Sequence, residues 1–256
     1  MGAVSSFLKP LKENIKYRLR WKYLWKDWFL GRHACLGYDV LKHFDNLPTE
    51  VNFQKGRADL LLSYWVDKAL LPKSSLLAPF MARKDVLPLI RQLEFFDYLP
   101  KRPPKFIFID SFSELTDQLF ANRAEGWRFT CGYSDIEQSE DFNTAYAGMG
   151  LLRTEDLERY YVELFSLFEN RWGNVPIYFL FFPIALETRE LFIGRHKEIM
   201  RVVMEISLTR KNLHPIAIDE ADVNWPSDLP DELRSFPYHY DEATYILFKE
   251  KIGSIL

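Results

Sequence analysis

The chain has 256 residues, 48% of them apolar, and a formal net charge of -3 at pH 7. That length and apolar share suffice for one large domain with a sizeable core, and the near-neutral balance lacks the global basic signature of a nucleic-acid binder. Two cysteines, Cys35 and Cys131, are too few for a disulfide framework and fit a reducing cytoplasm, and no run approaches the roughly 20 apolar residues of a membrane span.

The charge is unevenly spread. In residues 1–32, Lys9, Lys12, Lys16, Arg18, Arg20, Lys22, Lys26 and Arg32 stand against Glu13 and Asp27, a local +6 that leaves -9 for the rest. Phe7, Leu8, Leu11, Ile15 and Leu19 recur at helical spacing among these charges, with Trp21, Trp25 and Trp28 following. Residues 1–27 therefore read as a basic amphipathic segment. Two placements stay open: residues 1–30 on an anionic membrane surface, or a helix docked on the domain with a solvated basic face. No signal peptide is expected, and little rests on the short myristoylation pattern Met1-Gly2-Ala3-Val4-Ser5-Ser6.

Strand-like and helix-like segments alternate from residue 28 on. Residues 28–34 predict a first strand and 36–44 a helix; 51–54 predict a second strand ending near Gly56. Residues 57–99 read as helical pieces broken by Pro72, Pro79 and Pro88. Residues 105–110 are the clearest strand, with a helix expected over 114–122. Residues 121–153 read as a long excursion, an insertion or lid. Thr154 is expected to cap a helix to Trp172; 175–183 form a continuous apolar strand, 187–208 a long helix and 214–219 a last short strand. Ala243, Ile246, Leu247 and Ile252 predict a closing helix that holds His239 at its start. The fold class expected is α/β, a three-layer sandwich with a short parallel sheet of flavodoxin-like type over 28–256.

In such folds, function collects in loops at the carboxyl ends of the strands. Those ends carry His33 and Cys35; Gly56 and Arg57; Asp110, Ser111 and Glu114; and Asp219, ahead of the loop with His239. A cysteine at a strand-to-helix turn is a candidate nucleophile and a histidine a candidate base. Each has a structural alternative: Cys35 as packing, His239 as a helix cap, Asp110 as an acceptor for backbone amides, and Glu114 as a buried ion-pair partner of Arg57 or Arg83. His33 is an equal candidate for the site histidine. His43, His196 and His214 read as surface or element-end residues. No histidine pair or cysteine cluster has metal-ligand spacing, so no metal site is expected.

This order of blocks resembles the SGNH hydrolases. His33-Ala34-Cys35 with the residues after it is similar to the Gly-Ser-Cys or Gly-Asn-Cys form of their first block, found in proteins of bacterial capsule and surface-polysaccharide loci. Residues 106–114 are similar to their third-strand block, and Tyr238-His239-Tyr240-Asp241 to their histidine block. Three departures stand out. His33 occupies the position of a family glycine, Phe236 that of the aspartate three before the histidine, and there is no Gly-x-Asn-Asp block.

The resemblance implies an acyltransferase or esterase acting on a surface polysaccharide or related glycoconjugate. Cys35 would be the nucleophile and His239 the base, with Asp219 or Asp222 orienting His239. Gly56 and the amide at the start of the Cys35 helix would be oxyanion donors, with Arg57, Asp110, Ser111, Glu114 and His33 around them. No tightly bound cofactor is implied; an acyl-CoA donor and a saccharide acceptor are the implied partners. The protein is then expected in the cytoplasm, on or near the inner face of the membrane. The alternative is a non-catalytic protein of the same fold, serving a membrane-associated polysaccharide assembly complex.

Overall fold

A computed structural model describes residues 27–228, 230 and 237–253; the basic segment 1–26 and Phe236 lie outside the described residues. In chain order the strands are β1 Trp28–Arg32, β2 Thr49–Asn52, β3 Ile107–Asp110, β4 Gln118–Asn122, β5 Arg128–Cys131, β6 Tyr146–Gly150, β7 Ile177–Leu180 and β8 Leu213–Ile216. The α-helices are α1 Cys35–Leu41, α2 Ala58–Val66, α3 Leu87–Leu93, α4 Phe112–Thr116, α5 Glu140–Ala145, α6 Leu157–Trp172, α7 Glu190–Thr209 and α8 Glu242–Gly253.

Five strands form one parallel sheet in the order β2-β1-β3-β7-β8. Leu30 lies opposite both Val51 and Ile107, and Ile107 opposite Ile177, so apolar residues stack across the sheet. Every residue of β1, β3 and β7 is buried. The edge strands β2 and β8 are only partly so. This is the expected consequence of helices covering both faces of a parallel sheet. α1 packs against α8, while α2, α6 and α7 pack in series. The order is that of flavodoxin-type doubly wound sheets.

The segment 118–150 differs from its sequence reading. The residues expected to continue a helix to 122 leave it at Thr116 and form β4, which pairs antiparallel with β5 and β6. Pairing with strands 10 and 28 residues further on overrides the local helical pattern. What read as a long excursion is a packed lobe with its own core. Phe120, Trp127, Phe129, Phe142 and Tyr146 meet Leu77, Met81, Val86 and Ile90 there. Phe120 stacks on Phe129 at 5.3 Å and Phe142 on Tyr146 at 4.9 Å. Cys131 is buried in the same cluster. Thr154 does not cap α6; it opens a short 3-10 turn ahead of it.

Lys55, just past β2, joins the two parts. Its buried ammonium contacts Asp117 Oδ1 at 2.9 Å and Asp135 Oδ2 at 3.3 Å, and Thr130 Oγ1 donates to its carbonyl. The two carboxylates hold the lysine charged against its burial.

Candidate functional site

A cleft of about 480 Å³ opens at the carboxyl ends of β1 and β3, where the strand order reverses. Ligands of open α/β sheets bind at such switch points. Cys35, the first residue of α1, and His239, just before α8, both line it. Its polar wall includes Lys55, Arg83 and Asp85, Gly132 to Asp135 of the antiparallel lobe, and Arg189 and Tyr238, with Val86, Leu89, Phe112 and Phe192 among its apolar residues.

His239 is held by its neighbours. Tyr238 lies edge-on to Phe112 and Phe182, each at 5.6 Å, and its hydroxyl donates to Glu187 Oε2 at 2.8 Å. Tyr240 donates to the Pro183 carbonyl at 3.0 Å. Both tyrosines are buried and His239 between them is exposed. Asp241 then accepts from the Thr244 amide at 2.9 Å and starts α8. The alternation Tyr-His-Tyr therefore anchors the backbone on both sides of His239 and leaves its side chain toward solvent at the cleft.

Cys35 is held differently. Its Sγ faces the Tyr238 carbonyl at 3.5 Å. Burial, then the carboxylates of Asp110 and Asp39, push its thiol up to about 12, against the pull of the Leu36 and Cys35 amides. Three units above the ordinary value correspond to roughly 4 kcal/mol against the thiolate, leaving about one molecule in 10⁵ ionised at pH 7. The depressed pKa expected of a reactive cysteine at a helix start is absent, because burial first, and then the nearby carboxylates, oppose the thiolate.

The remaining candidates serve the frame of the cleft. Asp110 accepts from the Ala34 amide at 2.6 Å and the Phe112 amide at 3.1 Å, tying the end of β1 to the start of α4. Burial pushes its carboxyl up to about 6, against the opposing effects of His33, those two amides and Arg32. Ser111 Oγ accepts from the Phe182 amide at 3.0 Å.

Glu114 pairs with Arg32 at 2.6 Å, not with Arg57 or Arg83, and also accepts from the Ala58 amide at 2.8 Å. Arg57 forks onto Asp59 at 2.8 Å and donates to the carbonyls of Asp117 and Gly150, each at 2.9 Å. Arg83 meets Asp85 at 2.7 Å and Asp135 at 3.6 Å.

His33 is buried away from the cleft wall, bonded to Glu50 at 2.6 Å and edge-on to Phe108. Burial works against its charge, but Glu50 and Asp110 outweigh it and raise its pKa. Gly37 makes room for that ring: a Cβ there would sit 2.5 Å from His33 Cβ. Gly56 spends its amide on the Phe53 carbonyl at 2.8 Å, so it is not turned toward the cleft as an oxyanion donor. Asp219 accepts from the Ala221 amide at 3.0 Å, capping its own turn, and lies outside the cleft wall, as does Asp222. His196, read as a surface residue, is buried in α7, and burial lowers its pKa to about 4.

Lys55, Arg83, Arg189 and Tyr238 were not singled out by sequence as cleft residues. Two of them stood beside residues the sequence did single out: Lys55 directly before Gly56, just past β2, and Tyr238 directly before His239. Among the described residues, no group of three His, Cys, Asp or Glu side chains is arranged to hold a metal ion, and no helix is long and apolar enough to cross a membrane. Comparison with known proteins finds no matching family model, no matching curated protein and no matching solved structure.

Proposed function

We propose that this protein transfers or hydrolyses acyl groups through Cys35 and His239, on the plan of the SGNH hydrolases that its sequence blocks resemble. The observation that carries the reading is the pair itself: a cysteine opening the helix after β1 and a histidine ahead of the last helix line one cleft. Because the resting thiol is protonated, proton removal accompanies attack. Cys35 Sγ bonds to the carbonyl carbon of an ester or thioester while its proton passes to His239. The donor's C–O or C–S bond breaks, and the leaving group takes that proton. A sugar hydroxyl or water then attacks the Cys35 thioester through His239, and the thiol is restored. An acyl-CoA serves as donor and a surface polysaccharide or related glycoconjugate as acceptor, which places the work at the cytoplasmic side of a membrane.

Incubation with p-nitrophenyl acetate or acetyl-CoA, followed by intact mass measurement, is expected to reveal one acetyl group on Cys35. The adduct should vanish in Cys35→Ala and form at least tenfold more slowly in His239→Ala. No adduct on Cys35 with either donor would sink this reading. The thiol pushed up to about 12 favours a second one, a non-catalytic binding protein of a polysaccharide assembly complex. In that case Cys35 and buried Cys131 should react equally slowly with iodoacetamide at neutral pH, with no change in His239→Ala.

A further inference from the structure

The cations of the Cys35 cleft are already matched. Lys55 meets Asp117 and Asp135, Arg83 meets Asp85 and Asp135, and Arg189 forks onto Glu187 at 2.7 and 2.8 Å. A carboxylate on an incoming acyl group would lose its water there without gaining an unpaired cation, which is costly.

What the wall leaves open is apolar surface. Val86 and Leu89 come from the start of α3, Phe112 opens α4, Leu151 follows β6, and Leu191 and Phe192 lie in the first turn of α7. Val86 is 2% exposed and sits deep, while Leu191, 60% exposed, stands at the rim. Arg189 lies over the Phe192 ring at 4.3 Å, so the aliphatic residues give most of the contact. Small-molecule sites share this pattern, a mainly apolar lining with a few polar groups that orient the ligand.

The size of the cleft sets a length. A methylene fills about the room of one water, about 30 Å³. An eight-carbon chain then takes on the order of 240 Å³, half of the cleft's 480 Å³. An acetyl group would leave most of the apolar wall in water.

We propose that the cleft takes a neutral, unbranched acyl chain of medium length, near eight carbons, laid against Val86, Leu89, Leu151 and Leu191 with its carbonyl at Cys35. This rests on the reading of Cys35 as the acceptor of an acyl group. Cys35 Sγ bonds to the carbonyl carbon, the bond from that carbon to the coenzyme A sulfur breaks, and the thiol proton leaves with that sulfur by way of His239.

Octanoyl-CoA, acetyl-CoA and succinyl-CoA share one leaving group, so their acylation rates compare the acyl chain alone. Each is offered at equal micromolar concentration to the full-length chain, and intact mass follows the adduct on Cys35. The octanoyl adduct should form at least tenfold faster than the other two, since each methylene withdrawn from water is worth roughly fourfold. Leu89→Asn with Leu191→Asn should cut the octanoyl-to-acetyl ratio at least fivefold. Leu208→Asn, 79% exposed on α7 outside the cleft, should leave it unchanged.

Equal rates, faster acetyl or succinyl transfer, or a ratio untouched by the paired substitution would overturn the proposal while the Cys35 adduct itself stands. No adduct from any donor would sink the reading of Cys35 instead. Calorimetry with the unreactive thioethers S-octyl- and S-ethyl-coenzyme A then judges the apolar site alone. Octyl binding at least tenfold tighter upholds it; equal binding, or none, overturns it.

Discussion

In the five-stranded sheet, the buried charges at strand ends are matched within one frame: Arg32 with Glu114, His33 with Glu50. In the antiparallel lobe two carboxylates, Asp117 and Asp135, share a single lysine brought in from the other sheet. Removing one partner of a buried pair leaves an uncompensated charge, which costs far more than the pair contributes. The first arrangement therefore puts the whole sheet at risk from one substitution. The second puts at risk the seating of one lobe, and with it the wall of the cleft from Gly132 to Asp135.

The sharpest way to break that comparison is Arg32→Met. Glu114 would lose its guanidinium partner and keep the Ala58 amide, with the neutral Tyr161 hydroxyl beside it. A loss of about 3–5 kcal/mol is expected, lowering Tm by on the order of 10 °C for a chain of this size. A loss under 1 kcal/mol in denaturant unfolding would show the pair to be incidental.

Lys55→Met should come next, at about 3 kcal/mol, and its effect should be local. Hydrogen exchange should speed up over 118–150 while β1, β3 and β7 keep their protection. Uniform loss of protection would mean that the lobe and the sheet unfold as one unit.

The third effect is pH dependence. Burial raises Asp110 from 3.8 to about 6 in the folded protein, so its contribution is fully present below about pH 4 and is lost as pH rises through 6. His33, also raised, contributes below its unfolded value of 6.5 and loses that contribution as pH rises through its folded pKa. Both changes run the same way. Asp110 alone, about two units, corresponds to about 3 kcal/mol at most. Buried His196, lowered to about 4, runs the other way and adds stability as pH rises toward 6.5. Unfolding curves therefore read a difference: between pH 4 and 6 the unaltered chain should lose stability relative to Asp110→Asn. An unchanged slope in that variant would remove Asp110 as the cause.

Much of the architecture was legible locally. Residues 105–110 and 175–183 are apolar runs too short for helices, and they contain β3 and β7 at the centre of the sheet. The place of Cys35 after the first strand and of His239 before the last helix was also readable, because strand ends follow from hydrophobic patterning and chain order. The structure brings both to one cleft wall.

The identity of partners was not legible. Glu114 chose Arg32 over Arg57 and Arg83 only once β1 and β3 lay side by side, and Lys55 found acceptors 62 and 80 residues away. Nor did spacing betray β4, whose helical pattern yields to two strands it meets only in the folded lobe. By itself, then, the sequence determined which segments are strands of a buried sheet and which reactive side chains stand at their ends, since both follow from local periodicity. Tertiary structure alone decided the electrostatics. Whether a thiol is raised or lowered depends on how far packing buries it and on the charges set beside it; at Cys35 burial comes first, and the carboxylates of Asp110 and Asp39 add to it.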